Sequence, residues 1–529
     1  MITRFVSALL LTFTIHAQAA SVALTDATIT ELQAAMSVGA LTSEKLTSLF
    51  LARIEHYEKA GPKLRAIITL NSKALAEARS LDDERKAKGP RGPLHGIPVL
   101  LKDNIDTIDL PTTGGFYALR DSYPPQDAEQ TRRLRAAGCV IIAKANLSEF
   151  ASGAALSTLG GQMLNPHALD RTPGGSSGGT GAGIAAGFAA LGLGTDTGGS
   201  VRGPSSSNGI AGLKPTFGLN GRGGIIPLSL ALDTVGPMAR HVADLAVALN
   251  DMAGPDPRDP VTQSNSGKIP ADYTAALRPD ALQGARLGLL RDYMKQDAGV
   301  DAVIETAVAI LRARGATVVD IELPSFVRGL NSGLYLAIRD PEFKAQIGDY
   351  LITLPRQDLP KTHEEIIALS EKITQPTKEG WVPNENRLKA YRREKKAGTI
   401  QDRPYHSALE DGGKIVRENL AWILAREKLD AFILPTSPRP PRLIKEDGAT
   451  LPPNVNGHST FLANITGWPD LIVPAGFTSN PLLPVTLSFL GPAFSEPRLL
   501  ALGHAFELAH PVRALPSTTP ALPGELITY

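Results

Sequence analysis

The sequence predicts an α/β fold, and three observations carry that prediction. The composition, with 50 glycines, 41 prolines, 43% hydrophobic and only 5% aromatic residues, describes a loop-rich α/β chain rather than a helical bundle. Between residues 286 and 321 the pattern alternates strand, helix, strand, as successive units of an α/β layer do. Toward the C-terminus, residues 431–435, 471–474 and 485–489 are short uncharged apolar runs of the kind buried inside a sheet. At 529 residues the chain is long enough for about three domains or for one large α/β domain. No internal repeat, heptad pattern or later membrane-length apolar stretch interrupts it.

Residues 1–19 form a separate object. Arg4 supplies a positive charge, residues 5–15 are an apolar run too short to cross a bilayer as a stable helix, and Ala17-Gln18-Ala19 is a small-residue cleavage pattern. The expectation is a signal peptide and a periplasmic or secreted mature chain. Losing Arg4 takes the formal net charge from +1 to 0. A chain so balanced offers no basic footprint for nucleic acid, and nothing in it assigns an oligomeric state. The single cysteine, Cys139, permits no internal disulfide. Set in the apolar run Gly138-Cys139-Val140-Ile141-Ile142, it reads as a buried, inert thiol.

In chain order, residues 26–38 and 43–59 carry apolar residues at helical spacing, with Thr25-Asp26 and Thr42-Ser43-Glu44 as capping chemistry. A strand is expected at 66–70 and a charged surface helix at 72–88. The turn Gly89-Pro90-Arg91-Gly92-Pro93 leads into an apolar strand ending at Lys102-Asp103-Asn104. Residues 128–137 read as helix, 139–143 as strand, and 160–172 as a polar loop. The small-residue run 182–191 predicts a closely packed buried helix and 193–195 a short inner strand. Strand and turn pieces follow at 213–218 and 221–227, then a helix over 241–252. Residues 255–275 read as a polar surface excursion. Residues 343–417 are densely charged, with Pro355, Pro360, Pro376 and Pro383 breaking the helical patches. That segment is either a helical cap over the site or, as charge runs favour, a solvated outer layer. Residues 498–508 close the pattern as an amphipathic helix.

The chemistry concentrates between residues 173 and 208. Ser176 and Ser200 lie 24 residues apart, each in a glycine-rich turn. Glycines leave backbone N–H groups uncovered, which suits a site that binds a developing oxyanion. Four successive amides, Thr197, Gly198, Gly199 and Ser200, could surround a carbonyl oxygen. Serine is a weak nucleophile and needs a base. Lys102 ends an apolar strand, where burial lowers an ammonium's pKa and frees a neutral amine.

Other chemistries fit less well. Gly174-Gly175-Ser176-Ser177-Gly178 satisfies the G-x-S-x-G elbow, but a polar loop rather than an apolar strand precedes it, and the late histidines His504 and His510 sit in or just after a packing helix. The spacings around Gly179 and Gly192 lack the lysine or acidic residue of nucleotide sites. No two of the ten histidines sit at zinc-ligand spacing with an acidic partner.

These residues resemble the amidase signature family. Its glycine-serine block, upstream lysine and second serine are reproduced as Gly174-Gly175-Ser176-Ser177-Gly178-Gly179, as Val99-Leu100-Leu101-Lys102-Asp103-Asn104 and as Gly198-Gly199-Ser200. The similarity runs through Lys144-Ala145-Asn146-Leu147-Ser148-Glu149-Phe150, Gly212-Leu213-Lys214-Pro215-Thr216 and Asp233-Thr234-Val235-Gly236-Pro237-Met238. It is closest over residues 90–255. The resemblance implies one domain over 20–529, a large mixed central β-sheet covered by helices on both faces, with C-terminal sheet strands at 430–490. It implies Ser200 as nucleophile, Ser176 as proton shuttle after a cis Gly175-Ser176 peptide, Lys102 as base, and Thr197 to Ser200 as oxyanion donors. It gives Ser177 a supporting role, braces the loop through Asp196 and Arg202, and leaves Glu149 to Ser152 as pocket lining or an ordinary helix start. No metal or organic cofactor is implied. The substrate would be a small-molecule or peptide amide, in the manner of the peptide amidase branch. Arylamides, other N-acyl amides and a glutamyl-tRNA amidotransferase A-type role stay open, the last disfavoured by the export signal. A membrane-bound fatty amide hydrolase is disfavoured by the lack of a span or docking helix, and a non-catalytic binder would not need all three of Lys102, Ser176 and Ser200.

Overall fold

A computed structural model of the protein describes residues 20–446 and 459–529; the predicted signal peptide at 1–19 lies outside the described residues. Eleven strands form one mixed sheet. In chain order they are β1 (Ile67–Leu70), β2 (Pro98–Lys102), β3 (Val140–Ala145), β4 (Leu191–Asp196), β5 (Ala211–Lys214), β6 (Thr234–Ala239), β7 (Arg286–Leu290), β8 (Thr317–Ile321), β9 (Ala431–Pro435), β10 (Asp470–Phe477) and β11 (Pro484–Leu490). Their order across the sheet is β8-β7-β9-β11-β10-β5-β6-β4-β2-β3-β1. Helices flank the sheet, so the middle strands are buried on both faces and read as continuous apolar runs rather than alternating ones.

One feature of this topology positions the chemistry. Strands β4, β2 and β3 run parallel, with Leu101 level with Leu193. Their C-terminal ends therefore open on one edge of the sheet, where ligands of open α/β sheets gather. Lys102 ends β2 and Asp196 ends β4, so the loops carrying Lys102 and Ser200 start side by side.

Several elements differ from the sequence expectation. The first helix, Ile29–Ser37, is capped by Thr28 in a capping box with Glu31, not by Thr25-Asp26, whereas Thr42 caps Ser43–Ile54 as expected. The buried helix is Gly178–Ala185 and not 182–191, and the inner strand that follows is longer than 193–195. Its glycines serve close packing: a Cβ on Gly179 would stand 2.4 Å from the carbonyl oxygens of Ala66 and Asn146. The central strand β6 went unanticipated because it contains Gly236 and Pro237, residues disfavoured inside a sheet. Gly236 is required there, since its Cβ would lie 2.0 Å from the Leu213 carbonyl oxygen on β5.

The charged segment beyond residue 343 is not simply solvated. The helices Ser325–Leu351, His363–Ser370 and Glu385–Lys396 enclose an apolar cluster that includes Phe343, Ile347, Ile366 and Tyr391. The Arg387 and Glu394 side chains are buried beside it and paired at 2.7 Å. Among the described residues no helix is long and apolar enough to cross a membrane.

Candidate active site

Lys102 is fully buried at the end of β2. Its Nζ stands 2.7 Å from Ser176 Oγ, 2.7 Å from Thr195 Oγ1 and 3.3 Å from the Thr195 carbonyl oxygen. Burial lowers its pKa from that of an ordinary lysine to about 7, although Asp196 and Asp233 pull the other way. A neutral amine has two N–H bonds and one lone pair. Thr195 offers two oxygens to the N–H bonds, which leaves the lone pair to accept the Ser176 hydroxyl proton. Asn104 completes the support by donating from Nδ2 to Thr195 Oγ1 at 3.0 Å. Thr195 and Asn104 were invisible as site residues in the sequence. They become so only because β2 and β4 are neighbours in a fixed register.

Ser176 is 2% exposed and follows a cis peptide bond to Gly175, as the family resemblance implies. The Ser176 carbonyl accepts from the Ser148 amide at 2.9 Å. Position 175 has no room for a side chain, since a Cβ would lie 2.5 Å from Ser148 Oγ. Ser177 is fully buried; its hydroxyl donates to the Thr195 carbonyl at 3.3 Å and its amide to the Ser200 carbonyl at 3.1 Å. That second bond ties the two serine loops together. Ser200 itself is partly exposed, the accessible member of the three.

The loop bearing Ser200 is braced as the sequence suggested. Arg202 donates to Asp196 through Nε at 3.0 Å and Nη2 at 2.9 Å, and to Asp470 through Nη1 at 3.0 Å, all buried. Burial alone would raise the Asp196 carboxyl, but the charge and hydrogen bonds of Arg202 hold it well below the usual carboxylate range. Asp196 also receives the amides of Gly199 at 2.8 Å and Val201 at 3.0 Å. Replacing Arg202 with methionine strands two carboxylates in the interior, so urea denaturation is expected to show a loss of about 3 to 5 kcal/mol. Lysine at 202 cannot restore the planar fork and is expected to recover only part of it.

The Gly199 bond corrects one expectation. The sequence reading makes Gly199 an oxyanion donor, yet its amide is engaged by Asp196 Oδ1 and turned away from that task. Gly199 has φ +121°, and a Cβ there would meet Thr460 Oγ1 at 2.5 Å. Two of the other expected donors are held through atoms other than their amides. Thr197 is fixed through its hydroxyl, which donates to Asp233 Oδ1 at 2.5 Å. Asp233, unrecognised as a site residue in the sequence, is raised to about 6 by burial against these hydrogen bonds. The Gly198 carbonyl accepts from Thr460 Oγ1 at 2.8 Å.

Other titratable groups have structural occupations. Lys144 is buried against Asp103 at 3.2 Å, and Lys214 donates to the carbonyls of Pro215 and Trp468, both at 2.9 Å. Neither lysine bonds to a serine hydroxyl. Glu149 accepts from the Thr158 amide at 2.8 Å and the Tyr391 hydroxyl at 2.9 Å, while Phe150 and Ala151 take positive φ values of 46° and 57°. The stretch 149–152 is thus a tight turn beside Ser176, not an ordinary helix start. Cys139 is buried and its thiol is raised by that burial. His510 bonds through Nε2 to the Ala475 carbonyl at 3.1 Å. Among the described residues no group of three His, Cys, Asp or Glu is placed to hold a metal ion.

Known proteins place this arrangement. The profile of the family described as Amidase matches residues 45–500. The chain is 36% identical over 496 residues to a glutamyl-tRNA(Gln) amidotransferase subunit of Chloroflexus aggregans, covering 91% of this chain and 96% of that one. Its fold is similar to that of the peptide amidase of Stenotrophomonas maltophilia, with a TM-score of 0.85 and 38% identity over 94% of this chain and 99% of the other. Against the corresponding glutamyl-tRNA(Gln) amidotransferase subunit of Thermotoga maritima, the TM-score is 0.72 at 26% identity, covering 94% and 99%. With its lysine and paired serines at the C-terminal edge of a large mixed sheet, the chain belongs to the amidase family.

Proposed function

We propose that this protein is an exported, free-standing hydrolase that cleaves the C–N bond of carboxamides, with C-terminal peptide amides as its substrate class. The observation that carries the reading is the 2.7 Å contact between a buried Lys102 amine and the Ser176 hydroxyl, on the loop tied to Ser200. In the proposed sequence Ser200 Oγ attacks the amide carbon and passes its proton to Ser176, whose own proton goes to Lys102 Nζ. The oxyanion is held by backbone amides of the Thr197, Gly198 and Ser200 group. Collapse breaks the C–N bond as the relay returns a proton to nitrogen, and ammonia leaves. Water then adds to the acyl-Ser200 by the same path, giving the acid and the free serine. The balance closes without a metal or organic cofactor, a partner chain or nucleic acid.

A second reading, as part of an amidotransferase, draws support from the identity to the Chloroflexus aggregans protein. The peptide amidase reading is preferred because overall similarity to that structure is the greater, at a TM-score of 0.85 against 0.72. The N-terminal pattern at 1–19 supports export as well. The test is an ammonia-release screen over N-acylated peptide amides, aliphatic amides, anilides and glutamine, using protein recovered from the extracytoplasmic fraction. Peptide amides are expected to give the highest kcat/KM. Glutamine leading the ranking overturns the peptide amidase reading, and recovery only from the cytosol overturns export.

A further inference from the structure

The Ser200 loop has a lid that the catalytic relay does not use. Tyr335, from the helix Ser325–Leu351, abuts Gly198 with the hydroxyl end of its ring: a Cβ built on Gly198 would meet its Cε2, Cζ and hydroxyl oxygen, each at 2.8 Å. The ring is stacked on Phe461 with centroids 4.2 Å apart and planes 16° from parallel, an arrangement that fixes its tilt. Thr460, next to Phe461, binds the Gly198 carbonyl. The Gly198 peptide is therefore clamped on one side by a hydroxyl and covered on another by the phenol.

Behind the ring stands Arg339, its guanidinium carbon 5.9 Å from the ring centroid. It is not available to a ligand carboxylate. Nε donates to Asp340 at 2.9 Å, Nη2 donates to Asp340 and, at 2.8 Å, to Glu394, and Nη1 donates to Ser152 at 2.9 Å. Its N–H groups are thus taken up within the protein, in a cluster where Asp340 also pairs with Arg393 and Glu394 with Arg387. Among the described side chains of this helix, the polar group set against Gly198 is the Tyr335 phenol.

From this geometry we infer that Tyr335 is a specificity-determining residue, its hydroxyl donating to a second, neutral carbonyl oxygen of the substrate. The inference rests on the proposed amidase function. When the leaving group is ammonia, everything else in the substrate lies on the acyl side, so any recognition beyond the scissile amide must be of the acyl part. An N-acylated amino-acid or peptide amide carries a second carbonyl there; a simple aliphatic amide does not. A neutral donor suits such a carbonyl, whereas a free carboxylate would call for an unpaired cation.

The test compares wild type with Tyr335→Phe, which removes the hydroxyl and keeps the stacked ring. An N-acetylated dipeptide amide and hexanamide serve as substrates, and a fluorophosphonate labelling rate serves as a measure of the intact relay. The expected result is a fall of about tenfold in kcat/KM on the peptide amide, with hexanamide turnover and labelling rate changed less than twofold. Equal losses on both substrates, or none on either, overturn the assignment. Wild-type protein that neither labels nor hydrolyses any amide overturns the amidase reading itself, an outcome distinguishable from the other two. Tyr335→Leu, which also removes the stack, is expected to weaken both substrates through KM; unchanged KM values would likewise contradict a substrate contact at this position.

Discussion

Ser200→Ala is expected to lower kcat/KM on the best amide by about 10⁵-fold or more while leaving urea stability within about 0.5 kcal/mol of wild type. The size follows from the position. Ser200 is the accessible serine of the site, and its carbonyl rather than its hydroxyl carries the bond to the Ser177 amide. Removing the hydroxyl therefore deletes the atom proposed to attack without touching the Asp196 and Arg202 brace beneath it. Steady-state ammonia release and a denaturation curve on the same preparation check both halves. A variant retaining a tenth of the activity would require another nucleophile.

The second large effect concerns Lys102. In the proposed relay its neutral form is the base, and burial lowers its pKa to about 7. Below that pH the amine is protonated and cannot accept from Ser176, so kcat/KM is expected to fall about tenfold for each pH unit and to level off above about pH 7. Lys102→Met keeps the volume, removes the base and is expected to lose about 10³-fold near neutrality, with that acid limb abolished. Stability carries the same signature with a definite sign. A lysine neutral in the fold above about pH 7 but protonated in the unfolded chain up to about pH 10.4 makes the unfolded state the greater proton binder between those values, so its contribution makes stability rise with pH there. The penalty is fully present below the folded value and fades above it. Urea midpoints of wild type and Lys102→Met, compared across that window, isolate this contribution from the one expected of Lys214, also lowered to about 7 by burial. A wild-type activity profile flat from pH 5 to 9 would contradict the base assignment.

Local chemistry made the candidate reacting groups legible in the sequence. Lys102 announced itself by ending an apolar strand, and both serines by the glycines around them. What surrounds them was not legible, because it depends on register and long-range packing. Thr195 reaches Lys102 only through the parallel pairing of β2 with β4, and Asn464 and Asp470 meet Arg202 from more than 260 positions away. Gly199 shows a limit of another kind. Glycine spacing reveals which amides are uncovered, but not that an acidic neighbour such as Asp196 will engage one of them. The strand β6 escaped because Gly236 and Pro237 contradict strand propensity, and close approach to β5 outweighs that propensity. In the segment beyond 343, charge density suggested solvent, whereas Arg387 and Glu394 pair with each other inside.

A proton relay from Ser200 through Ser176 to a neutral Lys102 is the mechanism proposed for this chemistry, and the pH dependence of fluorophosphonate labelling, read by peptide mapping, tests it most directly. The prediction is a single adduct on Ser200, formed at a rate that climbs through about pH 7 in wild type and loses that climb in Lys102→Met. An adduct on any other residue, or a labelling rate indifferent to the presence of Lys102, would contradict it.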